Sequence, residues 1–170
     1  MIPSVKERQK GAYDFKTFYE SVCALNNVVP LQSVTCHLPE GILDIIVDRI
    51  RLPDWDPIIK SLRINRNLNF VAFRSFLKTN IEKGETHEIR LGIMQNRTLK
   101  HLSFEGSPVG DEGLQELCRA IRNAPELATL NLTGCCITAQ GIEYLTQLIK
   151  VSLSLGPGRL AIFWPSQSVV

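Results

Sequence analysis

Between Leu99 and Ile149 the chain states one pattern twice, 28 residues apart. Leu99, Leu102, Phe104, Ser107, Val109, Gly113, Leu114, Leu117, Ala120 and Ile121 become, at that offset, Leu127, Leu130, Leu132, Cys135, Ile137, Gly141, Ile142, Leu145, Leu148 and Ile149. Position after position keeps its chemical character. Each copy opens on apolar residues at alternate positions, the mark of a half-buried strand, and closes on apolar residues three and four apart, the mark of an amphipathic helix. A strand-plus-helix unit of this size has an apolar face that only a stacked neighbour can cover, so the repeat demands an array.

The pattern L-x-x-L-x-L-x-x-N/C-x-L followed by a helix is that of a leucine-rich repeat. A period at the long end of that class, with a full helix per repeat, resembles the ribonuclease-inhibitor type. The expected fold is therefore an α/β leucine-rich-repeat solenoid with parallel strands on the concave face and helices on the convex face. The repeat can be traced backwards. Leu43, Ile45, Asp48 and Ile50 match the strand, and Trp55, Ile58 and Leu62 follow Leu43 at the distances that separate Leu114, Leu117 and Ile121 from Leu102. Asp56 before Pro57 reads as a helix start, because a carboxylate caps free N–H groups and proline loses nothing at the first helical position. One period on, Val71, Phe73 and Phe76 mark a degenerate second repeat, whose helix is expected at about 87–95 after a lengthened polar loop. Strands are thus predicted near Leu43, Val71, Leu102 and Leu130.

Before the array, one helix is expected from Gly11 to Asn27, with Asp14 near its start, Phe15, Phe18, Tyr19, Val22 and Leu25 forming one apolar stripe, and Asn26-Asn27 and Pro30 ending it. A helix here serves as the cap that a first repeat needs. The organisation read from the sequence is a helical cap over 1–36, an array of about four repeats over 37–150, and an irregular apolar tail over 151–170. A further period would place Gly158 at a central core position, after Pro157, so the tail is expected to hold loosely and to leave Leu132, Ile142 and Leu145 partly uncovered.

Composition narrows the function. The chain of 170 residues is 44% hydrophobic and 21% charged, with a net charge of +2 and no basic stripe, which offers nucleic acid no footprint. No stretch approaches the ~18 apolar residues of a membrane helix, and no signal-peptide run follows Lys6, Arg8 and Lys10. An intracellular protein with neither nucleic-acid nor membrane partners is expected. Cys23, Cys36, Cys118, Cys135 and Cys136 fit that, as they show no metal or disulfide spacing.

No catalytic constellation, metal site or cofactor motif emerges. His37, His87 and His101 lie far apart and lack Cys, Asp or Glu at ligand spacing. Cys135 invites a redox or zinc role beside Cys136, but it stands where leucine-rich repeats bury an Asn or Cys against the neighbouring turn. Gly106, Gly110 and Gly113 lack the Gly-Lys-Ser/Thr of a phosphate loop. The remaining candidate is the concave face, where the residues between the core positions emerge. Its rows are Ile42, Asp44 and Ile46; Phe70, Ala72 and Arg74; His101, Ser103 and Glu105; and Thr129, Asn131 and Thr133. Arg74 and Glu105 hold equivalent positions and are expected to face each other. The mixture of apolar and polar groups suits a protein partner. The alternatives are a merely solvated face or a regulator of a small GTPase, a class that also uses this repeat but needs a positioned arginine or asparagine at the array's edge.

Asp14-Phe15, Tyr19-Glu20, Cys23-Ala24-Leu25, Val29-Pro30-Leu31, Glu40-Gly41, Leu43-Asp44, Asp48-Arg49, Asp54-Trp55, Ile64-Asn65 and Ser75-Phe76 resemble the opening of one family, that of the seventy-eight-kilodalton centrosomal protein. Gly110-Asp111, Gly113-Leu114 and Thr133-Gly134-Cys135 fit that family's later repeats, so the resemblance covers about residues 1 to 150. It implies a non-enzymatic scaffold at the centriole and ciliary base, with centrosomal or ubiquitin-ligase components as partners and a part in cilium assembly. The family carries additional sequence between the segments matched by Phe76 and Glu88. It continues into further repeats, a basic tail and a coiled coil, so this chain is expected to be a shortened form.

Overall fold

The computed structural model describes residues 13–75, 98–122, 124, 126–154 and 160–164, of which 152–154 by backbone alone. Two helices, α1 (Phe15–Leu25) and the short α2 (Gln32–Thr35), precede a sheet of five strands: β1 (Ile42–Ile46), β2 (Phe70–Arg74), β3 (His101–Ser103), β4 (Thr129–Asn131) and β5 (Ala161–Phe163). The strands are parallel and lie side by side in chain order. Between them run α3 (Leu52–Ile64), α4 (Gly110–Ile121) and α5 (Ala139–Ser154). This is the expected α/β leucine-rich-repeat architecture, and the four predicted strand centres all fall inside strands.

The register shows why the periodic residues recur. Leu43 lies opposite Val71, Val71 opposite Leu102, Leu102 opposite Leu130, and Leu130 opposite Ile162. Two residues further along, Ile45, Phe73, Phe104 and Leu132 turn to the same side, since strand side chains alternate. Leu43, Val71, Leu102, Leu130 and these four are each at most 1% exposed. Burying a side chain of this size contributes ~1.5–3 kcal/mol. The helices supply the other half of the core: Ile58 and Leu62 from α3, Leu114, Leu117 and Ile121 from α4, Leu145 and Leu148 from α5. Phe73 bridges repeats, with ring centroids 6.1 Å from Trp55 and 5.5 Å from Phe104.

Where the chain leaves the sheet, backbone carbonyls lose their ladder partners and need other donors. Side chains of the next repeat provide them. Ser107 Oγ donates to the Phe73 carbonyl at 2.8 Å, and Cys135 Sγ to the Phe104 carbonyl at 3.1 Å. Ser75 Oγ donates to Asp48 Oδ1 at 2.6 Å. Cys135 is 2% exposed and burial pushes its thiol up to about 12, so it stays protonated and serves the backbone.

At the first end, α1 starts at Asp14, whose Oδ2 accepts from Thr17 N at 2.8 Å and Thr17 Oγ1 at 2.7 Å, a capping arrangement for the free N–H groups of the first turn. Its Phe15, Tyr19, Val22 and Cys23 are buried, and the helix packs along α3.

Three expectations change. The helix after β1 begins at Leu52, not after Asp56. Pro53 takes the early position where its missing N–H costs nothing, and Pro57 falls inside α3, unable to donate to the Pro53 carbonyl. The stretch 151–170 is not irregular throughout: α5 runs to Ser154, and Ala161–Phe163 pair with β4 as β5. Leu132 and Leu145 are each 1% exposed, and of the three only Ile142, at 39%, is left partly uncovered. The helix expected at 87–95 lies outside the described residues.

Candidate partner-binding face

The side chains that alternate with the core rows emerge on the helix-free side of the sheet, the concave side of a leucine-rich-repeat solenoid. Register lines them up in columns across the strands. One column holds Ile42, Phe70, His101, Thr129 and Ala161, and the next holds Asp44, Ala72, Ser103, Asn131 and Phe163. A third starts with Ile46 opposite Arg74, while Glu105 and Thr133 follow β3 and β4 in the chain. The face is thus assembled from single residues contributed by each repeat.

The columns differ in height. Ile42, Phe70, His101 and Thr129 are half-buried, while Ala72 is fully buried and Ser103 only 7% exposed. Ser103 was expected among the contact residues. Alternation assigns it to this face correctly, but its short side chain lies below the surface, where its Oγ accepts from Glu105 N at 3.4 Å. Asp44, Ile46, Phe70, Arg74, His101, Glu105, Thr129, Asn131 and Thr133 remain accessible in whole or in part. Phe163, 55% exposed, and Ala161 enlarge the face by a strand that the sequence reading lacked.

Polar contacts knit the columns together. His101 Nδ1 lies 2.8 Å from Thr129 Oγ1, and its ring centroid is 6.3 Å from that of Phe70. Asn131 Oδ1 accepts from Thr133 N at 3.0 Å, and its Nδ2 donates to Glu105 Oε2 at 3.4 Å. The register that sets Ala72 opposite Ser103 keeps Arg74 and Glu105 at equivalent positions in neighbouring repeats, and within it the Arg74 Nη2 pairs with Asp44 Oδ2 at 2.9 Å while its Nε is buried without a hydrogen-bond partner. From opposite Ile46 the long guanidinium stem reaches diagonally back to Asp44, which is 31% exposed and less screened by water than the exposed Glu105.

Burial pushes the Cys118 thiol up to about 11 and also raises that of Cys23, so neither supplies a thiolate at neutral pH. Among the described residues no group of three or more His, Cys, Asp or Glu could hold a metal ion, and no helix is long and apolar enough to cross a membrane.

Comparison with known proteins agrees with the geometry. A family model described as Leucine Rich repeat matches residues 95–118 and 126–145. The centrosomal protein of 78 kDa from Homo sapiens is 30% identical over 88% of this chain and 29% of its own length. Its Mus musculus counterpart is 31% identical over 88% of this chain and 26% of its own length. That of Xenopus tropicalis is 31% identical over 86% and 20% respectively. The chain therefore spans less than a third of each relative. The alignment with the human protein extends over 201 positions, more than the 170 residues of this chain, so that relative carries residues absent here.

Proposed function

The chain belongs to the family of the centrosomal protein of 78 kDa, and from that premise we propose that it is a non-enzymatic protein-interaction scaffold of the centrosome that binds its partner through the helix-free face of the sheet. The observation that carries the reading is the alignment of Phe70, His101 and Thr129 in one column, beside the Asp44–Arg74 pair in the next two. Aromatic and arginine side chains dominate the energetics of protein interfaces, and here they are fixed in place by packing and hydrogen bonds before any partner arrives. The face carries both signs of charge and no basic stripe, which suits a protein surface.

The finer part of the proposal follows the resemblance. The scaffold works at the centriole and ciliary basal body, its partners are centrosomal or ubiquitin-ligase components, and its role is in cilium assembly and in regulating that ligase. The test is co-purification from ciliated cells followed by mass spectrometry, with the native chain and a Phe70→Asp, His101→Ala variant side by side. Loss of centrosomal partners from a variant with an unchanged circular dichroism spectrum is the expected result. Identical partner sets would move the binding site off this face. A native chain that recovers no centrosomal protein would overturn the assignment itself.

A further inference from the structure

Alternation puts every second strand residue on the helix-free face, and the ladder carries that register past the ends of β3 and β4. Phe104 N donates to the Asn131 carbonyl at 2.9 Å and Gly106 N to the Thr133 carbonyl at 2.8 Å, which sets Glu105 beside Thr133. Of the side chains in the three columns, Asp44, Arg74 and Glu105 carry charge. The Arg74 guanidinium is engaged by Asp44 at 2.9 Å. Glu105 is exposed, and among the described residues it meets no cation, only the neutral amide of Asn131 at 3.4 Å. With histidine counted as neutral, the columns hold two carboxylates against one guanidinium, although the chain as a whole has a net charge of +2.

The same face carries an apolar ledge. Ile42 and Phe70 stand half-buried in the first column beside His101, whose ring centroid lies 6.3 Å from that of Phe70. Between this ledge and Glu105 the floor is low, because Ala72 is fully buried and Ser103 only 7% exposed. First and third columns lie four residues apart along a strand, as His101 and Glu105 do, which is ~13 Å at the strand rise. An apolar ledge and an uncompensated carboxylate are thus held at a fixed separation.

Resting on the reading of this face as the partner-binding surface, we infer that the partner offers it a basic segment, with an arginine on Glu105 and an apolar side chain over Ile42 and Phe70. In an extended segment those two side chains lie four residues apart. The planar fork of a guanidinium matches a carboxylate bidentately and is more weakly hydrated than an ammonium, so it gives up its water with less loss. An acidic segment would set a like charge against Glu105, a juxtaposition that costs affinity. The one cation of the columns that could receive it is already held by Asp44.

The test takes the full chain, labelled with nitrogen-15, and two synthetic peptides. In one, leucine and arginine are separated by three residues; in the other, glutamate replaces the arginine. The arginine peptide is expected to shift amide signals around Phe70 and Glu105. Its binding should weaken as salt rises from about 0.1 to about 1 M, where the screening length falls from ~10 to ~3 Å. Glu105→Gln, at an exposed position, is expected to raise its dissociation constant by ~10-fold or more. Glu105→Lys is expected to invert the preference, so that the glutamate peptide binds and the arginine peptide does not. A purely structural role for Glu105 would not produce that exchange. Equal binding of the two peptides by the native chain, binding of neither, or a Glu105→Gln variant that binds as the native chain does would overturn the inference. Centrosomal partners that are lost from the Phe70→Asp, His101→Ala variant but kept by Glu105→Gln would also overturn it, while leaving the scaffold reading in place.

Discussion

The two ends of the array are closed by different means. At the first end, side chains fasten the cap to the repeat behind it. Asp14 Oδ1 accepts from Asn67 Nδ2 at 2.6 Å, Asn67 Oδ1 accepts from Phe15 N at 3.2 Å, and Asn26 Nδ2 donates to Asp56 Oδ2 at 2.7 Å. Tyr19 OH accepts from Leu31 N at 3.0 Å while its ring stacks on Phe15 at 5.9 Å. At the other end β5 is held by backbone hydrogen bonds and by the half-buried Leu160, Ile162 and Trp164. Helix-on-helix closure needs particular side chains in particular places. Strand-on-strand closure needs only an extended backbone with enough apolar atoms on one side, and it leaves a new edge behind.

This contrast can be broken by mutation. Phe15, fully buried, should cost ~3–5 kcal/mol when replaced by alanine, whereas Ile162→Ala should cost ~1–2 kcal/mol, because that side chain is half in water. Equal losses in urea titrations would mean that both ends depend on side-chain fit. Gly141 adds a test between the two. A Cβ there would run into Asp111 Oδ1 and Ile137 Cγ2 where α5 meets α4, so Gly141→Ala should lower stability by ~1–3 kcal/mol through overpacking. A neutral result would show that the last repeat yields as readily as its closing strand.

Alkali sharpens the comparison. An unfolded thiol ionises near its ordinary value of 9.0, while burial holds Cys118 to about 11 and Cys135 to about 12 in the fold. Both folded values are raised, so this stability is fully present below pH 9 and drains as pH rises beyond it, by at most ~1.4 kcal/mol per pH unit for each thiol. Both residues belong to the later repeats. A Cys118→Ala variant should therefore show a shallower alkaline decline in denaturant midpoint than the native chain. Of similar or smaller size is the cap: Asp14→Ala should cost ~1 kcal/mol, read as an earlier loss of amide protection in α1 than in α5. Smallest is Thr129→Ala, expected within ~0.5 kcal/mol, beside Leu130→Ala at ~2–5 kcal/mol. Similar values for that pair would reverse the facing of β4.

Much of this was readable in the sequence, since burial in a stacked array forces core residues to recur at one spacing. Adding 28 leads from Leu43 to Val71 and from Leu102 to Leu130, while the step from Val71 to Leu102 is 31 and needs the lengthened loop of the second repeat. Ile162 escaped because it lies 32 residues after Leu130, where the fixed offset finds Gly158. The extra length matches α5, which has 16 residues where α4 has 12. The start of α3 is ambiguous in the sequence, because Pro53 and Pro57 both satisfy the rule for a first helical turn. On the binding face, alternation told which residues emerge. It could not tell that Ser103 lies below its neighbours or that Arg74 reaches diagonally to Asp44, because height and reach depend on several side chains at once.

The longer α5 has a consequence for how such chains tolerate change. Four added residues amount to about one turn of helix. A whole turn returns the chain to the same angular position, so the following strand still meets its neighbour with the correct face inward. Length can therefore vary in single-turn steps along the outer side of the solenoid while the spacing of β4 and β5 stays unchanged. A single residue inserted within a strand has no such refuge, since it would turn every side chain beyond it to the opposite face. Insertions into this molecule should be accepted by quanta of one turn, at the helices first.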